Sequence, residues 1–442
     1  MKKFITTIKN IFAIEELRNR ILATLGFLVI FRLGSFVVLP GVDPTQLTDT
    51  DSGILGILNT LLGGSFSRAS IFGLGIMPYI SASIVIQLMT VAVPSFQKMQ
   101  KEGESGRKKL TQITRVLTIL VTLAQSVGYL QVTIPAEAIS PSLNPTLFMI
   151  SSMILLTSGT MFCMWLGEKI TDKGIGNGIS MLIMIGIISS LPGAAWFEFV
   201  TTNGISRALF SLVEVLVLFG VVMVTVALVQ ATRRIPVQYA KQVVGGKVYG
   251  GQRQFIPLKV NASGVMPIIF AQALMILPTL IGQVWADTNE FWNNVTNAFA
   301  NPYSWQYNVV FAVLIIAFTF LYTAITVNPA SMADDLKRNG GFIPGIKPGR
   351  PTSEFIGDVI DRITLPGSIF LSLIAVLPTF AYLAGVGQQF SYFYGGTSLL
   401  IMVGVILDTL QQIESYLLMR HYEGMMKSGK TRGRSQNVAV AS

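Results

Sequence analysis

Apolar residues gather into ten long runs along this 442-residue chain, at about 21–39, 72–93, 115–133, 146–166, 178–192, 207–230, 263–281, 307–327, 364–384 and 396–418. Most approach the ~20 residues that a helix needs to cross the hydrocarbon of a bilayer. The polar gaps between them alternate in character. Of the 32 Lys and Arg residues, 29 fall in the N-terminal arm, the C-terminal tail and the gaps 94–114, 167–177, 231–262 and 328–363, counting Arg115 with the first of these gaps. The intervening gaps hold only Arg68 and Arg207, and Arg32 lies inside the first run. Basic residues are retained on the cytoplasmic side of membranes, so this alternation predicts ten spans with both termini in the cytoplasm. The fold class expected is an all-α polytopic membrane protein.

Two segments interrupt the pattern. Gly53 to Leu62 is apolar, but ten residues are too few to span, and the run stops at Gly63 and Gly64. It reads as a re-entrant or capping element, which must be surrounded by protein or line a cavity. The fifth run, 178–192, is also short, and Gly174, Gly176 and Gly178 introduce it. With no preceding strand and no Lys-Ser/Thr after it, this glycine run reads as a tight cytoplasmic turn rather than a phosphate loop. Ten spans divide at 193–206 into five and five, an arrangement that permits inverted repeats. The organisation expected is an amphipathic cytoplasmic helix at 1–20, with Phe4, Ile8, Ile11, Phe12 and Ile14 at helical spacing. An N-terminal half (21–193), a connecting hinge (194–206), a C-terminal half (207–427) and a flexible tail (428–442) follow.

Composition agrees: 51% of residues are hydrophobic, 12% are charged and the mean hydropathy is +0.60. That charge content is about half of what a soluble domain carries. The net charge of +10 sits mostly in loops that would face anionic lipid and cytosolic partners. A single Cys (Cys163) and a single His (His421) argue against a disulfide framework or a Cys/His metal site, and no cofactor is expected. The first apolar run ends in Leu39, Pro40 and Gly41 without a small-x-small site, unlike a cleaved signal peptide. Arg32 tests its span: a central Arg costs about 2.5–3.5 kcal/mol, whereas thirteen Ile, Leu, Phe and Val return about 4–8 kcal/mol. The span still inserts, with Arg32 open to a structural or a functional reading. Glu214 and Asp408 share that ambiguity between interhelical pairing and proton relay.

No catalytic constellation is visible. A Ser/His/Asp triad would require His421, which lies in the basic tail, so a membrane-embedded hydrolase lacks its parts. A secondary transporter would need a polar midplane site with paired ionisable groups, and Glu214 and Asp408 stand in separate spans. What the spans do carry is Ile at i,i+4, as Ile76 with Ile80 and Ile179 with Ile183. Such faces pack or meet lipid, or else form an apolar constriction that gates a pore by dewetting. In the gap 231–262, Arg233, Arg234, Lys241, Lys247, Arg253 and Lys259 have no acidic residue among them. That loop is either a solvated inside-positive segment or a docking surface for an acidic or nucleic-acid-bearing partner. Gly345 to Gly349 would give the other long gap a rigid basic tip.

Four stretches carry a resemblance: SRASIFGLGIMPYISASIVIQLM (67–89), KEGESGRKKL (101–110), GTMFCMWLGEKITDKGIGNGIS (159–180) and GGTSLLIMVGVILD (395–408). From about Glu16 to Lys427 the chain resembles the SecY family, the central subunits of the bacterial protein translocase. The resemblance implies two pseudo-symmetric five-helix halves around a central pore. Unfolded secretory proteins would cross through it, and hydrophobic segments would leave sideways into the bilayer. It implies a pore ring of Ile76, Ile80, Ile179, Ile183, Ile269 and Ile401. It also implies a short plug helix built from Gly53, Ile54, Leu55, Ile57, Leu58, Leu61 and Leu62, with Gly63 and Gly64 as hinge. Signal sequences would exit through a lateral gate between spans two/three and seven/eight, where Gln87, Gln125 and Gln272 are either polar seam residues or structural glue. The long cytoplasmic loops would dock the motor ATPase SecA or a translating ribosome through Lys247, Arg253, Lys347 and Arg350. Lys347 stands where relatives often have Arg, and it loses the bidentate fork. SecE-like and SecG-like membrane subunits and a bacterial inner-membrane location are also implied.

Overall fold

In a computed structural model the described residues are 14–47, 53–141, 144–200, 205–239, 242–244, 247–249, 253–285, 290, 294, 298–299 and 301–430. Each of the ten apolar runs falls on a helix. The first half contains α1 (Glu15–Gly34), the short α2 (Gly53–Leu61), α3 (Met77–Ala92), α4 (Pro94–Lys101), α5 (Glu104–Thr133), α6 (Pro145–Lys173) and α7 (Gly178–Val200). The second contains α8 (Ile205–Gln230), α9 (Met266–Trp285), α10 (Trp305–Thr326), α11 (Pro329–Arg338), α12 (Arg350–Leu383), the single turn α13 (Gln388–Ser391) and α14 (Gly396–Lys430).

Among the described residues seven helices are long and apolar enough to cross a membrane, or eight if the bent pair α3–α4 counts as one span. Of the remaining runs, α1 carries Glu15, Glu16, Arg18, Arg20 and Arg32, and α9 contributes a shorter apolar stretch, Met266–Met275. The α3–α4 bend of 97° has a local cause. Pro94 opens α4 without an N–H, and it pushes Val93 into extended backbone (φ −114°, ψ 119°), which ends α3. Helix starts elsewhere are capped: the Asn144 side chain accepts from the Thr146 N–H (3.1 Å), and Asn328 from the Ala330 N–H (3.0 Å).

Several boundaries move. The fifth span does not stop at 192; α7 continues through Pro192 to Val200, so the first part of the expected hinge 194–206 is helical. Proline is tolerated inside membrane helices because neighbours re-satisfy the freed backbone group. Residues 350–363, expected as loop, are the first turns of α12. Residues 15–20 of the expected N-terminal arm belong to α1, whereas residues 1–13 and the tail 431–442 lie outside the described residues.

The two long basic gaps also depart from an all-helical reading. Strand β1 (Thr232–Tyr239) pairs antiparallel with β4 (Arg253–Lys259), and β5 (Gly341–Phe342) joins the other edge of β1. Between them β2 (Gln242–Val244) and β3 (Lys247–Tyr249) form a separate ribbon. The 3-stranded sheet ties the two gaps together, and Ile235, Val237 and Leu258 share a buried apolar cluster with Leu336, Ile343, Ile356 and Ile360. The reason lies in the alternation at 232–239, where Ile235 and Val237 turn inward from exposed Arg233 and Arg234.

The halves meet along two seams. On one side α7 packs along α14 and touches α13; on the other α3 meets α9 only slightly, while α3 packs along α5 and α9 along α10.

Candidate pore, plug and docking face

The end of α2 follows from local sequence chemistry. Helix α2 ends in a Schellman motif: the Gly64 N–H reaches the Asn59 carbonyl (2.9 Å) and the Gly63 N–H reaches that of Thr60 (3.2 Å). Gly63 holds φ +65°, the left-handed value this motif requires and glycine adopts at least cost. The motif turns the chain back at the end of α2 and brings it close against α7, where a Cβ on Gly186 would meet the Leu61 carbonyl. The Ser190 hydroxyl also reaches the Thr60 carbonyl (3.4 Å). Of the expected plug residues, Leu61, Leu62 and Gly63 are buried and Ile57, Leu58 and Gly64 partly so. Gly53, Ile54 and Leu55 form the first turn of the helix, and their side chains lie outside the described residues.

The six candidate ring residues come from four helices and both halves. Ile76 and Ile80 sit at the start of α3, Ile179 and Ile183 at the start of α7, Ile269 on α9 and Ile401 on α14. All six belong to one apolar cluster that also holds Ile57 and Leu61 of α2. Ile76, Ile80 and Ile401 are buried, and Ile179, Ile183 and Ile269 are partly buried against them. Side chains separated by up to 325 positions therefore meet in one cluster beside α2.

The three glutamines do not form one polar line. Gln272 is buried in α9 and lines a cavity with Ile57, Tyr303, Asn308 and Tyr392. Gln87 donates to Ser83 on its own helix (3.4 Å), and its Oε1 is buried without a hydrogen-bond partner among the described residues. Gln125 faces outward from α5. Glu214 is buried in α8, and Asp408 is exposed on α14.

Some of the strongest contacts were not legible in the sequence. Arg32 donates from Nη1 to the Gly63 carbonyl (2.8 Å). Glu198 Oε2 accepts from the Gly387 N–H (3.0 Å), and Gln412 Oε1 accepts from the Gly176 N–H (2.8 Å). Only the glycine pair after an apolar helix offered a signal, that of a helix C-terminus.

This arrangement matches known proteins along nearly the whole chain. The SecY family model matches residues 70–410. A protein translocase subunit SecY of Streptomyces scabiei is 42% identical over 439 residues, covering 96% of this chain and 100% of its own. The chain belongs to the SecY family. A solved structure described as that of a protein conducting channel has the same fold, with a TM-score of 0.63, 17% identity and coverage of 90% of this chain and 92% of its own. Sec61 in the canine ribosome-channel complex aligns with a TM-score of 0.58 and 16% identity, covering 90% of this chain and 92% of its own.

Membership in the SecY family makes this a multi-pass membrane protein of a channel family rather than of a catalytic one. Its paired gaps present the basic face. Lys347 and Arg350 are exposed at the tip, where Gly345 (φ +84°) and Gly349 (φ +104°) shape the turn. The Thr352 hydroxyl braces that turn on the Lys347 carbonyl (2.9 Å), and Arg350 Nε pairs with Glu354 (3.0 Å). Lys247 lies on β3 and Arg253 opens β4; their side chains lie outside the described residues.

Proposed function

We propose that this chain is the pore-forming subunit of a Sec-type translocon, conducting unfolded secretory proteins across the membrane and releasing hydrophobic segments into the bilayer. The observation that carries the reading is the convergence of six Ile side chains from both halves beneath one short helix. An apolar ring excludes hydrated ions when empty, yet it can widen around a chain of any sequence without binding it. Helix α2 is the plug that closes the ring from the outside. No covalent step is asked of the chain; SecA or the elongating ribosome supplies the energy. The basic tip at Lys347 and Arg350, with Lys247 and Arg253 on the neighbouring strands, is the docking face for those partners. SecE-like and SecG-like subunits complete the complex, in the bacterial inner membrane with both termini cytoplasmic. Gln87 marks the lateral gate between α3 and α9, and its buried amide oxygen, without a partner among the described residues, favours opening toward water or an entering polypeptide.

The test is a photo-crosslink from position 179 to a radiolabelled, transport-arrested precursor in membrane vesicles. A SecA- and ATP-dependent adduct is expected. Efficient crosslinking from a control position in the gap 328–363, with none at 179, would mean that the precursor docks but passes elsewhere.

A further inference from the structure

Arg32 enters the sequence as an expensive charge in an apolar span, open to a structural or a functional reading. The structure gives it a specific object. It stands in the last turn of α1, and its Nη1 donates to the carbonyl of Gly63 (2.8 Å) and lies 3.4 Å from the Ser35 hydroxyl. Gly63 is the left-handed residue of the Schellman motif, so its carbonyl points out of the end of α2 instead of continuing the helix ladder. That end is the negative pole of the helix dipole, where a cation is favourable. The guanidinium is aimed from both sides. It lies 4.9 Å over the Phe36 ring, and the buried Ser35 hydroxyl is fixed by donating to Arg32's own carbonyl (2.7 Å). A Cβ on Gly63 would fall 2.6 Å from the Ser189 hydroxyl of α7 and 2.8 Å from Arg32 Nη1, so α1, α2 and α7 meet at this point.

A second cation is close by. Arg68 lies 4.5 Å over the same Phe36 ring, and its Nη1 is buried without a hydrogen-bond partner among the described residues. Two guanidinium groups on one ring repel each other. That repulsion limits how firmly Arg32 can hold. A hydrogen bond from a charged donor to a carbonyl at a helix end is strong enough to bias a two-state element and weak enough to be broken by an entering chain.

We propose that Arg32 is the latch of the plug, a positioning residue that holds α2 in the closed channel through the Gly63 carbonyl. The inference rests on the plug reading above and adds the residue that sets its closing equilibrium. It also gives the charge in the first span a specific object, a segment expected to move.

The test is resting ion conductance in planar bilayers, using the channel complex with its membrane partners. Arg32→Ala should raise resting conductance by roughly tenfold, the scale of one charge-assisted hydrogen bond, and Arg32→Lys by less. In a channel deleted for residues 54–61, already leaky, Arg32→Ala should add nothing, because there is no plug left to release. An independent readout uses Thr60→Cys, with the buried native Cys163 silent. An impermeant maleimide should label position 60 faster in Arg32→Ala than in the parent, whether or not the variant transports normally. If the deletion leaks while Arg32→Ala neither leaks nor labels faster, the latch is wrong and the plug stands. If the deletion itself does not leak, the plug reading falls, and the latch with it. An equal increment from Arg32→Ala in both backgrounds would make Arg32 a general packing residue and overturn the proposal.

Discussion

The two seams that join the halves differ in how they are held. Along α7 and α14 directional bonds close both ends. Gly176 donates to Gln412 at one end, and at the other Glu198 accepts from Gly387 while Phe199 and Phe390 meet edge to face with centroids 6.2 Å apart. Arg20 of α1 adds a bond to the Gly174 carbonyl (3.4 Å) and lies over the Tyr416 ring. Between α3 and α9 contact is slight, and on α3 the Gln87 Oε1 is buried without a hydrogen-bond partner among the described residues. Lipid is as apolar as the helix faces, so a seam in a membrane persists only through close packing and polar bonds. In the proposed channel the bonded seam serves as the hinge and the sparse one as the side that parts.

The comparison can be broken in four ways. The largest expected effect is that of Glu198→Ala, which leaves the Gly387 N–H without this acceptor in a buried site and should cost about 1–3 kcal/mol. A lower thermal midpoint of the purified complex, with Glu198→Gln close to the parent, is expected; an unchanged midpoint would remove the hinge from this end. Next, Gln87→Leu should firm the sparse seam by about 1–2 kcal/mol, because it removes an unsatisfied buried oxygen. Transport of a signal-bearing precursor should slow several-fold, and an unaltered rate would show that this seam does not have to part. Third, Gln412→Ala should destabilise by about 1 kcal/mol, read in the same thermal assay. If it exceeds Glu198→Ala, the two ends of the hinge have been ranked the wrong way round. Smallest, Lys347→Glu with Arg350→Glu should change stability by no more than about 0.5 kcal/mol in the same thermal assay, since both positions are exposed. The same pair should depress SecA-driven transport, and normal transport would remove the docking role from this tip.

Much of this molecule was readable in advance because bilayer insertion depends on local composition. A run of ~20 apolar residues becomes a helix whatever its neighbours are, since its backbone groups can find partners nowhere else. The short apolar stretch ending at Gly63 and Gly64 was equally visible, because a run too short to span and a glycine stop are both local facts. The sheet formed by β1, β4 and β5 was missed, although Ile235 and Val237 alternate with polar neighbours. Its partners lie across a ribbon and a further 80 residues or more, and Pro236 and Pro257 argue against strands when each segment is read alone. The end of α7 was misplaced for a similar reason: Pro192 reads as a stop in water and is tolerated within a membrane bundle.

By itself the sequence determined the number and polarity of the apolar runs and the glycines that end α2. Each of these depends on a residue and the solvent around it. Only the tertiary structure decided that six Ile side chains from four helices share one cluster, that Gln272 turns into a cavity away from Gln125, and that Arg32 reaches Gly63. These are relations between distant segments, set by how helices pack once inserted, and among many apolar positions of equal hydrophobicity no local pattern says which ones will meet.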